Sequence, residues 1–479
     1  MALFGGVAAI AAVVAAPLAS VHAHPFDLFG AGARAAGRGG AMATMADDHT
    51  GLYYNPATMV RGKPGVTVGG LVAVDDVNIR LKNRPAGYDL PDLGEGSAAI
   101  PSKYRLRERR DTTDLQNTYG LVFGGTVSLG NPDLRIGASV MLPATRIARQ
   151  LSRYSDEREQ YFSNQLHFEL LGERSQHPVI LAGIAYRFGD IISVGIGANV
   201  LPGADTVSTV YLADAAKQDE IDITVENDQV GRVALHAGVL VTPTRDLSLG
   251  VSWRGENYFQ LTLQNDIQIK GFEGDKEDFP VTQKTTVVAN YTPDELTVAA
   301  GWSPGALSLA VDAVWMRWSG FRDNQGGSNN GFEDTISVRA GLGYKLDDGK
   351  RFRLGVAWEP SPVPAQSGRT NFVDNDRLVG SIGGGHVLGL FGRDLELNWF
   401  VQVHNLLARD ENKTKSDSYP ACSAGEKKLC DELPDDTPRA DTGQPTDAHK
   451  GLQTGNPGFP GWQSWGRLLA FGFDLTWRF

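Results

Sequence analysis

Cysteine, basic charge and long apolar runs are all scarce in this sequence, and each scarcity removes a class of protein. Only two cysteines occur, Cys422 and Cys430, close together in a polar segment. That excludes a disulfide-stapled scaffold; one local disulfide formed in an oxidising compartment is expected, with two unpaired loop thiols as the alternative. Two thiols and scattered histidines give no metal-ligand spacing, so no metal site is expected. Acidic residues outnumber basic ones, 56 to 45, for a net charge of -11, which argues against nucleic acid as a partner. The one apolar run, Ala2 to Leu18, is too short and too terminal for a spanning helix. With Val21 and Ala23 placed like the small residues before a signal-peptidase cut, it predicts a secretory signal over residues 1–23. No Lys or Arg precedes Arg34, so the usual basic lead of such a signal is missing, and the start is misassigned or lies upstream.

What the sequence has in abundance is glycine and period-two alternation. "GRLLAFGFDLTWRF" puts Leu469, Phe471, Phe473, Leu475, Trp477 and Phe479 on one face and Ala470, Gly472, Asp474, Thr476 and Arg478 on the other. "RFRLGVAWEP" and "DLELNWFVQVH" repeat the pattern. Alternation alone does not say which face points inward. Connection lengths decide it: short turns at "GNPD", "GD", "TPTRD", "SPG", "LDDGK" and "FGRD" alternate with long polar gaps. Short turns on one side, long loops on the other and an even strand number describe an all-β protein, a transmembrane antiparallel barrel of about 14 strands with both ends in the periplasm. Strands are expected to begin near Gly65, Leu115, Asp133, His177, Ile191, Gln229, Asp246, Lys284, Ala306, Asp334, Arg351, Arg377, Arg393 and Ser464. Tryptophans near segment ends (253, 302, 315, 318, 358 and 477) fit interfacial belts.

Residues 24–64 fall outside this pattern and are rich in Gly and Ala, which suits a plug packed inside the lumen; residues 65–479 would form the barrel. The stretch "GAGARAAGRGGAMATMADDHTGLYYNPATM" is similar to the N-terminal hatch of the FadL-type outer-membrane transporters of long-chain fatty acids and aromatic hydrocarbons. "WMRWSGF" at Trp315, "AWEPSPVP" at Ala357 and "DNDRLVGSIGGGH" at Asp374 resemble further motifs of that family, in its order and spacing. The resemblance implies a plugged fourteen-stranded barrel in the outer membrane of a Gram-negative bacterium. It also implies passive transport, without a nucleotide or other cofactor: hydrophobic ligand is caught by extracellular loops, passes the hatch and leaves sideways through the wall. Phe479, with aromatics at every second position before it, resembles the C-terminal signal read by the barrel-assembly machinery.

Candidate residues follow from both readings. Hatch and gating roles fall to Asp47, Asp48, Tyr54, Asn55, Pro56 and Ala57. Pro143, in "DLRIGASVMLPATRIA", cannot donate a ladder hydrogen bond and marks a lateral exit or simply the strand end. Tyr161, Phe162, Leu166, Phe168 and Leu170 are apolar in a polar loop and are the candidates for ligand capture. The basic run "KYRLRERR" could meet lipopolysaccharide phosphates or be an ordinary solvated run. The acidic loop after Cys430 could take calcium or be merely solvated. Alternation turns Arg135, Arg339, Arg351 and Arg353 into the lumen, where each wants a carboxylate from the hatch, such as Asp47 or Asp48, or from a fatty acid; the hatch is the expected partner, since pairing is required even in the empty protein.

An enzyme is not expected: His236 and His404 face the lumen without an identifiable serine motif, and "FGAGARAAG" follows no buried strand, so nucleotide binding is set aside. The rival functions are a loop-based binding or adhesion protein, for which the barrel is only an anchor, and a general porin.

Overall fold

The computed structural model describes residues 25–82, 111–143, 179–201, 203–214, 219–270, 279–322, 331–346, 349–366, 371–390, 393–413, 432–433, 453–454 and 460–479. Among them no helix is long and apolar enough to cross a membrane; most of them form strands. Numbered along the chain these are β1 (Gly65–Leu81), β2 (Asp111–Ser128), β3 (Leu134–Pro143), β4 (Val179–Phe188), β5 (Ile192–Leu201), β6 (Ala204–Asp214) and β7 (Asp219–Val230). Next come β8 (Arg232–Val241), β9 (Leu247–Arg254), β10 (Asn257–Lys270), β11 (Phe279–Thr292), β12 (Glu295–Trp302), β13 (Leu307–Met316) and β14 (Thr335–Lys345). The last are β15 (Lys350–Glu359), β16 (Arg377–Leu390), β17 (Arg393–Asn412), the short β18 (Glu432–Leu433) and β19 (Gln453–Thr454), and β20 (Gly461–Arg478).

Fourteen of these close into one barrel in the order β1-β2-β3-β4-β5-β8-β9-β12-β13-β14-β15-β16-β17-β20. β1 and β20 seal it antiparallel, from Gly65 opposite Arg478 to Leu81 opposite Trp462. Closure leaves no bare edge to face hydrocarbon, where an unpaired backbone group costs several kcal/mol, on the order of the desolvation of an amide. Burial resolves the direction that alternation left open. Leu469, Phe471, Phe473, Leu475 and Trp477 are exposed, while Ala470, Asp474, Thr476 and Arg478 are buried. Along this part of the wall the apolar face therefore looks out, and the inner face is polar or small.

Of the short turns foreseen from sequence, "GNPD", "GD", "TPTRD" and "SPG" lie wholly in the described residues, and they join neighbouring wall strands on one side of the barrel. Two strand starts fell outside the wall. Gln229 lies at the end of β7, shortly before the wall strand β8. Lys284 belongs to β11, and the wall strand begins only at Glu295, because Pro293 and Asp294 interrupt what reads as one continuous alternating run. β11 belongs instead to a four-stranded sheet, β11-β10-β7-β6, on the long-loop side. Breaks of one or two residues separate β5 from β6, β7 from β8, β9 from β10 and β11 from β12. The sheet thus prolongs four wall strands past the membrane.

β1 shows where the membrane ends. Its lower part turns Val66 and Val68 outward, whereas higher up Val77, Ile79 and Leu81 are buried inward and Asp76 and Arg80 face out. Arg80 lies over the Trp465 ring, 5.3 Å from its centroid. Alternation continues unbroken, but the apolar set changes sides as the outer medium changes from lipid to water.

Candidate functional site

The segment before β1 lies inside the barrel. It consists of α1 (Pro25–Phe29), α2 (Ala33–Ala36), α3 (Gly51–Tyr54) and a 3-10 turn over Pro56–Arg61. Helices of one turn are not stable alone, since nucleation is not repaid by propagation; packing must hold them. Positive φ at Gly30, Gly32, Gly39 and Gly40 lets the chain fold back on itself. The wall answers with glycines of its own. A Cβ on Gly355 would run into the backbone of Arg38 and Gly39, and one on Gly195 into Pro56 and Ala57.

Polar groups of the wall take up the plug's backbone. Asp312 Oδ2 accepts from the Met42 and Ala43 amides at 2.8 and 2.9 Å, and Asp474 Oδ2 from Ala33 at 2.7 Å. Ser252 Oγ donates to Tyr54 O, Arg135 Nη2 donates to Gly62 O, and His236 Nδ1 sits 2.7 Å from Leu52 O. Asn55, wholly buried, caps the 3-10 turn by accepting from Ala57 N at 3.0 Å and donates Nδ2 to Val239 O at 3.1 Å. Pro56 occupies the first turn position, where its missing N–H is not needed. Tyr54 Oη accepts from Ala31 N at 3.0 Å, tying the two arms of the plug together. Tyr53 packs edge-on to Phe26 and lies under the Arg254 guanidinium.

Charge is concentrated beneath. Arg34 pairs with Asp47 and Asp48, and Arg478 at the end of β20 with Asp47. Glu396, 2% exposed, gathers Arg351 at 2.7 Å, Arg478 at 3.3 Å, Arg353 at 3.8 Å and Arg34 at 3.9 Å. The four lumen arginines picked out by alternation do not use the plug's acids. Arg339 pairs with Glu359, Arg351 and Arg353 with Glu396, and Arg135 donates to the Gly62 carbonyl, with no ion-pair partner among the described residues. Glu359 comes from the strand next to that of Arg339, and Glu396 from β17, one strand beyond the neighbour of β15, so the wall itself supplies both carboxylates.

On the long-loop side the three downstream motifs meet. Trp318, Glu359, Asp374 and Arg377 line one cavity of about 30 Å³ with Arg254 and Ser337. Glu359 bridges Arg339 and Arg377, the latter at 2.7 Å. Asn375 closes an irregularity between β17 and β20, donating Nδ2 to Leu407 O and Ser464 O. Trp318, expected in an interfacial belt, is instead 4% exposed in an aromatic cluster with Tyr258, Tyr291, Phe321 and Phe332. A second apolar cluster was not anticipated from sequence. Val77, Ile79, Leu81, Leu406, Trp462 and Leu468 of the wall are continuous with Phe26, Phe29 and Tyr53 of the plug. The inversion of apolar residues along "VAVDDVNIRL" was the available signal.

Acid is expected to loosen the plug in two stages. Burial works against ionisation of Asp47 and Asp48, yet Arg34, joined at Asp47 by Arg478, outweighs it and holds both carboxyls below the usual carboxylate range. Burial lowers His49, whose ring nitrogens have no hydrogen-bond partner among the described residues; Asp48 opposes the shift and Arg34 and Arg478 reinforce it. All three groups bind protons more readily once undocked, so docking weakens as pH falls. His49 contributes from about pH 6.5 downward and the acids from about pH 4. Channel conductance measured from pH 8 to 3 should rise in those two windows, and His49→Leu should abolish the first; a flat profile would refute this.

Pro143 is the last residue of β3 and lies opposite Gly120 of β2. Among the described residues the β3–β4 ladder ends lower, at Met141 and Val179. Tyr161, Phe162, Leu166, Phe168, Leu170, Cys422 and Cys430 lie outside the described residues, as does the signal segment 1–23.

Residues 14–390 match the model of a family described as outer membrane protein transport protein (OMPP1/FadL/TodX). The chain is 22% identical over 376 residues to the long-chain fatty acid transport protein of Escherichia coli O157:H7, covering 71% of this chain and 78% of that one. It is 21% identical over 355 residues to alkane uptake protein A of Marinobacter nauticus, covering 69% and 72%. The match to the Salmonella typhi long-chain fatty acid transport protein spans 42% of this chain and 53% of that protein, at 23% identity. Among solved structures, a Pseudomonas aeruginosa FadL homologue superposes with a TM-score of 0.54 at 14% identity, over 93% of this chain and 97% of that one. The P. putida toluene transporter TodX gives 0.51 at 11% identity, over 95% and 99%; both likenesses concern the fold. The chain is thus a β-barrel of the Gram-negative outer membrane and belongs to the OMPP1/FadL/TodX family of outer membrane transport proteins.

Proposed function

We propose that the protein carries hydrophobic small molecules, long-chain fatty acids or related hydrocarbons, passively across the outer membrane. The carrying observation is the pairing of an occupied lumen with an apolar inner lining. Residues 26–60 fill the barrel, so a wide aqueous path of the general-porin kind has no room, and the wall above them is lined by Val77, Ile79, Leu81, Leu406 and Trp462. A barrel serving only to anchor adhesive loops has no use for either feature. Capture falls to extracellular loops, including Tyr161, Phe162, Leu166, Phe168 and Leu170, with gating at the plug by Asp47, Asp48, Tyr54, Asn55, Pro56 and Ala57. Release is sideways near Pro143: in the described ladder Leu142 and Pro143 extend beyond the last β3–β4 pair.

Uptake of radiolabelled oleate and toluene by cells producing the protein tests this reading. Asn55→Ala should lower uptake about tenfold or more while the barrel still assembles, because it removes one cap and one wall contact, each worth about 1 kcal/mol, and with them the plug's set position. Pro143→Val, which restores a ladder donor, should abolish uptake and leave binding at the cell surface. Wild-type uptake in Pro143→Val would remove the lateral exit; absence of uptake in the wild type would remove the function.

A further inference from the structure

We propose that the four-stranded sheet above the membrane is a flap, hinged on the wall and coupled to the plug through Arg254. The sheet rises from β5, β8, β9 and β12, and each of the four junctions contains a residue that interrupts strands: Gly203, Gly231, Gly255 and Pro293. Gly203 and Gly231 lie against each other, since a Cβ on Gly231 would come to 3.0 Å from the Gly203 amide nitrogen. The ladder lapses there too. β8 pairs with β9 as far as His236 opposite Arg254, and β7 with β10 from Val230 opposite Gln260; between those pairs the Gly255 amide donates to Leu235 O. Among the described residues no strand adds to the outer edge of β6 or β11, so the ties of the sheet to the barrel are at its base. A few residues at the ends of elements, free to absorb a change of backbone angle, are what a hinge requires.

Two sets of contacts meet at that base. On one side the connection from β13 to β14 clasps it. Trp318 and Phe321 pack on Tyr291 of β11, with ring centroids 6.3 and 5.7 Å away, and Arg322 lies over Tyr258 of β10 at 5.2 Å. Arg317 pairs with Asp294 and Arg322 with Glu256, and both acids stand in the junctions themselves. These arginines are partly exposed, so their pairs are weak enough to open. On the other side, wall residues just below the junctions hold three successive residues of α3. His236 Nδ1 is 2.7 Å from Leu52 O, the Arg254 guanidinium lies 4.3 Å over the Tyr53 ring, and Ser252 Oγ donates to Tyr54 O at 2.7 Å. Arg254 ends β9 and pairs with Glu295, which begins β12, so one positioning residue joins both strands of a hinged hairpin to the plug. A one-turn helix has no stability of its own, and α3 follows the strand ends that hold it. The cavity of about 30 Å³ lined by Trp318, Arg254 and Glu295 lies between clasp and tie and leaves room for the movement. Loosening the clasp on the outer side therefore reaches the plug inside the barrel.

Hydrogen exchange read by mass spectrometry on the full-length protein in lipid nanodiscs tests the coupling. Trp318→Ala combined with Arg322→Gln removes the clasp and alters neither the plug nor the junctions. Amides of residues 256–262 and 285–292 should then exchange faster, and those of residues 51–57 about tenfold faster as well, the scale of one lost hydrogen bond. The paired strands β1 and β20 should exchange as in the wild type. In a protein that also carries Tyr53→Leu and Ser252→Ala, which cut two of the three ties to α3, the clasp variant should add less than about twofold at residues 51–57. Faster exchange in the sheet with residues 51–57 unchanged would overturn the coupling, and unchanged exchange in the sheet would overturn the hinge. A rise of equal size in β1 and β20 would show general loosening and overturn both. A full tenfold increment in the protein with the ties cut would overturn the route through Arg254 and α3.

Discussion

Glu396→Gln is expected to release the plug while leaving the barrel folded. The side chain keeps its shape and loses its charge, so Arg34, Arg351, Arg353 and Arg478 remain around a neutral amide. Breaking a buried ion pair from one side costs about 3–5 kcal/mol, because the surviving charge is left desolvated. Here several survive at once, and two of them, Arg34 and Arg478, also hold Asp47. The easiest relief is for Arg34, the plug's own member, to move out into water. The wall has no such option, since Glu396 lies opposite Val387 and Thr476 in stretches of ladder that are regular around it and do not depend on its charge. Planar-bilayer recordings should therefore show a large, noisy conductance absent from the wild type, with the heat-modifiable band of the folded barrel retained on gels. A wild-type conductance would mean that the cluster does not fasten the plug.

Gly355→Val should have a comparable effect by a steric route. The added carbon would run into backbone atoms of Arg38 and Gly39, and Gly39 has its own backbone against Val356 with φ of 64°. Backbone on both sides cannot rotate away as a side chain would. The overpacking cost of about 1–3 kcal/mol applies at its upper end. Valine favours strands, so β15 itself should pair as before. Gly380, where an added Cβ meets nothing within 4 Å, supplies the control: Gly380→Val should leave conductance and uptake unchanged. Closed channels in Gly355→Val would show that the plug can shift without opening a path.

The wall was readable residue by residue because its rules are local. Period-two alternation fixes which residues share a face, and loop-length asymmetry fixes which end is periplasmic, so strand starts such as Gly65, Arg377 and Arg393 could be placed to the residue. Local reading failed where two local signals compete. At Pro293 a proline inside an alternating run looks like one strand with a defect, and only the pairing of β11 with β10 shows two strands. Trp318 failed for a similar reason: position near a strand end suggests a belt, but the neighbours that bury it, Tyr291 and Phe332, are distant in sequence.

By itself the sequence determined a closed barrel, its strand order and its polar inner face, since backbone satisfaction in lipid and the pleat leave few alternatives. The tertiary structure alone decided how the lumen is used. Which wall carboxylate meets Arg34, which glycines admit the plug and where the inner face turns apolar all depend on register across strands up to several hundred residues apart. Those contacts carry no trace in local periodicity, because each is made only after the barrel has closed around the segment that fills it.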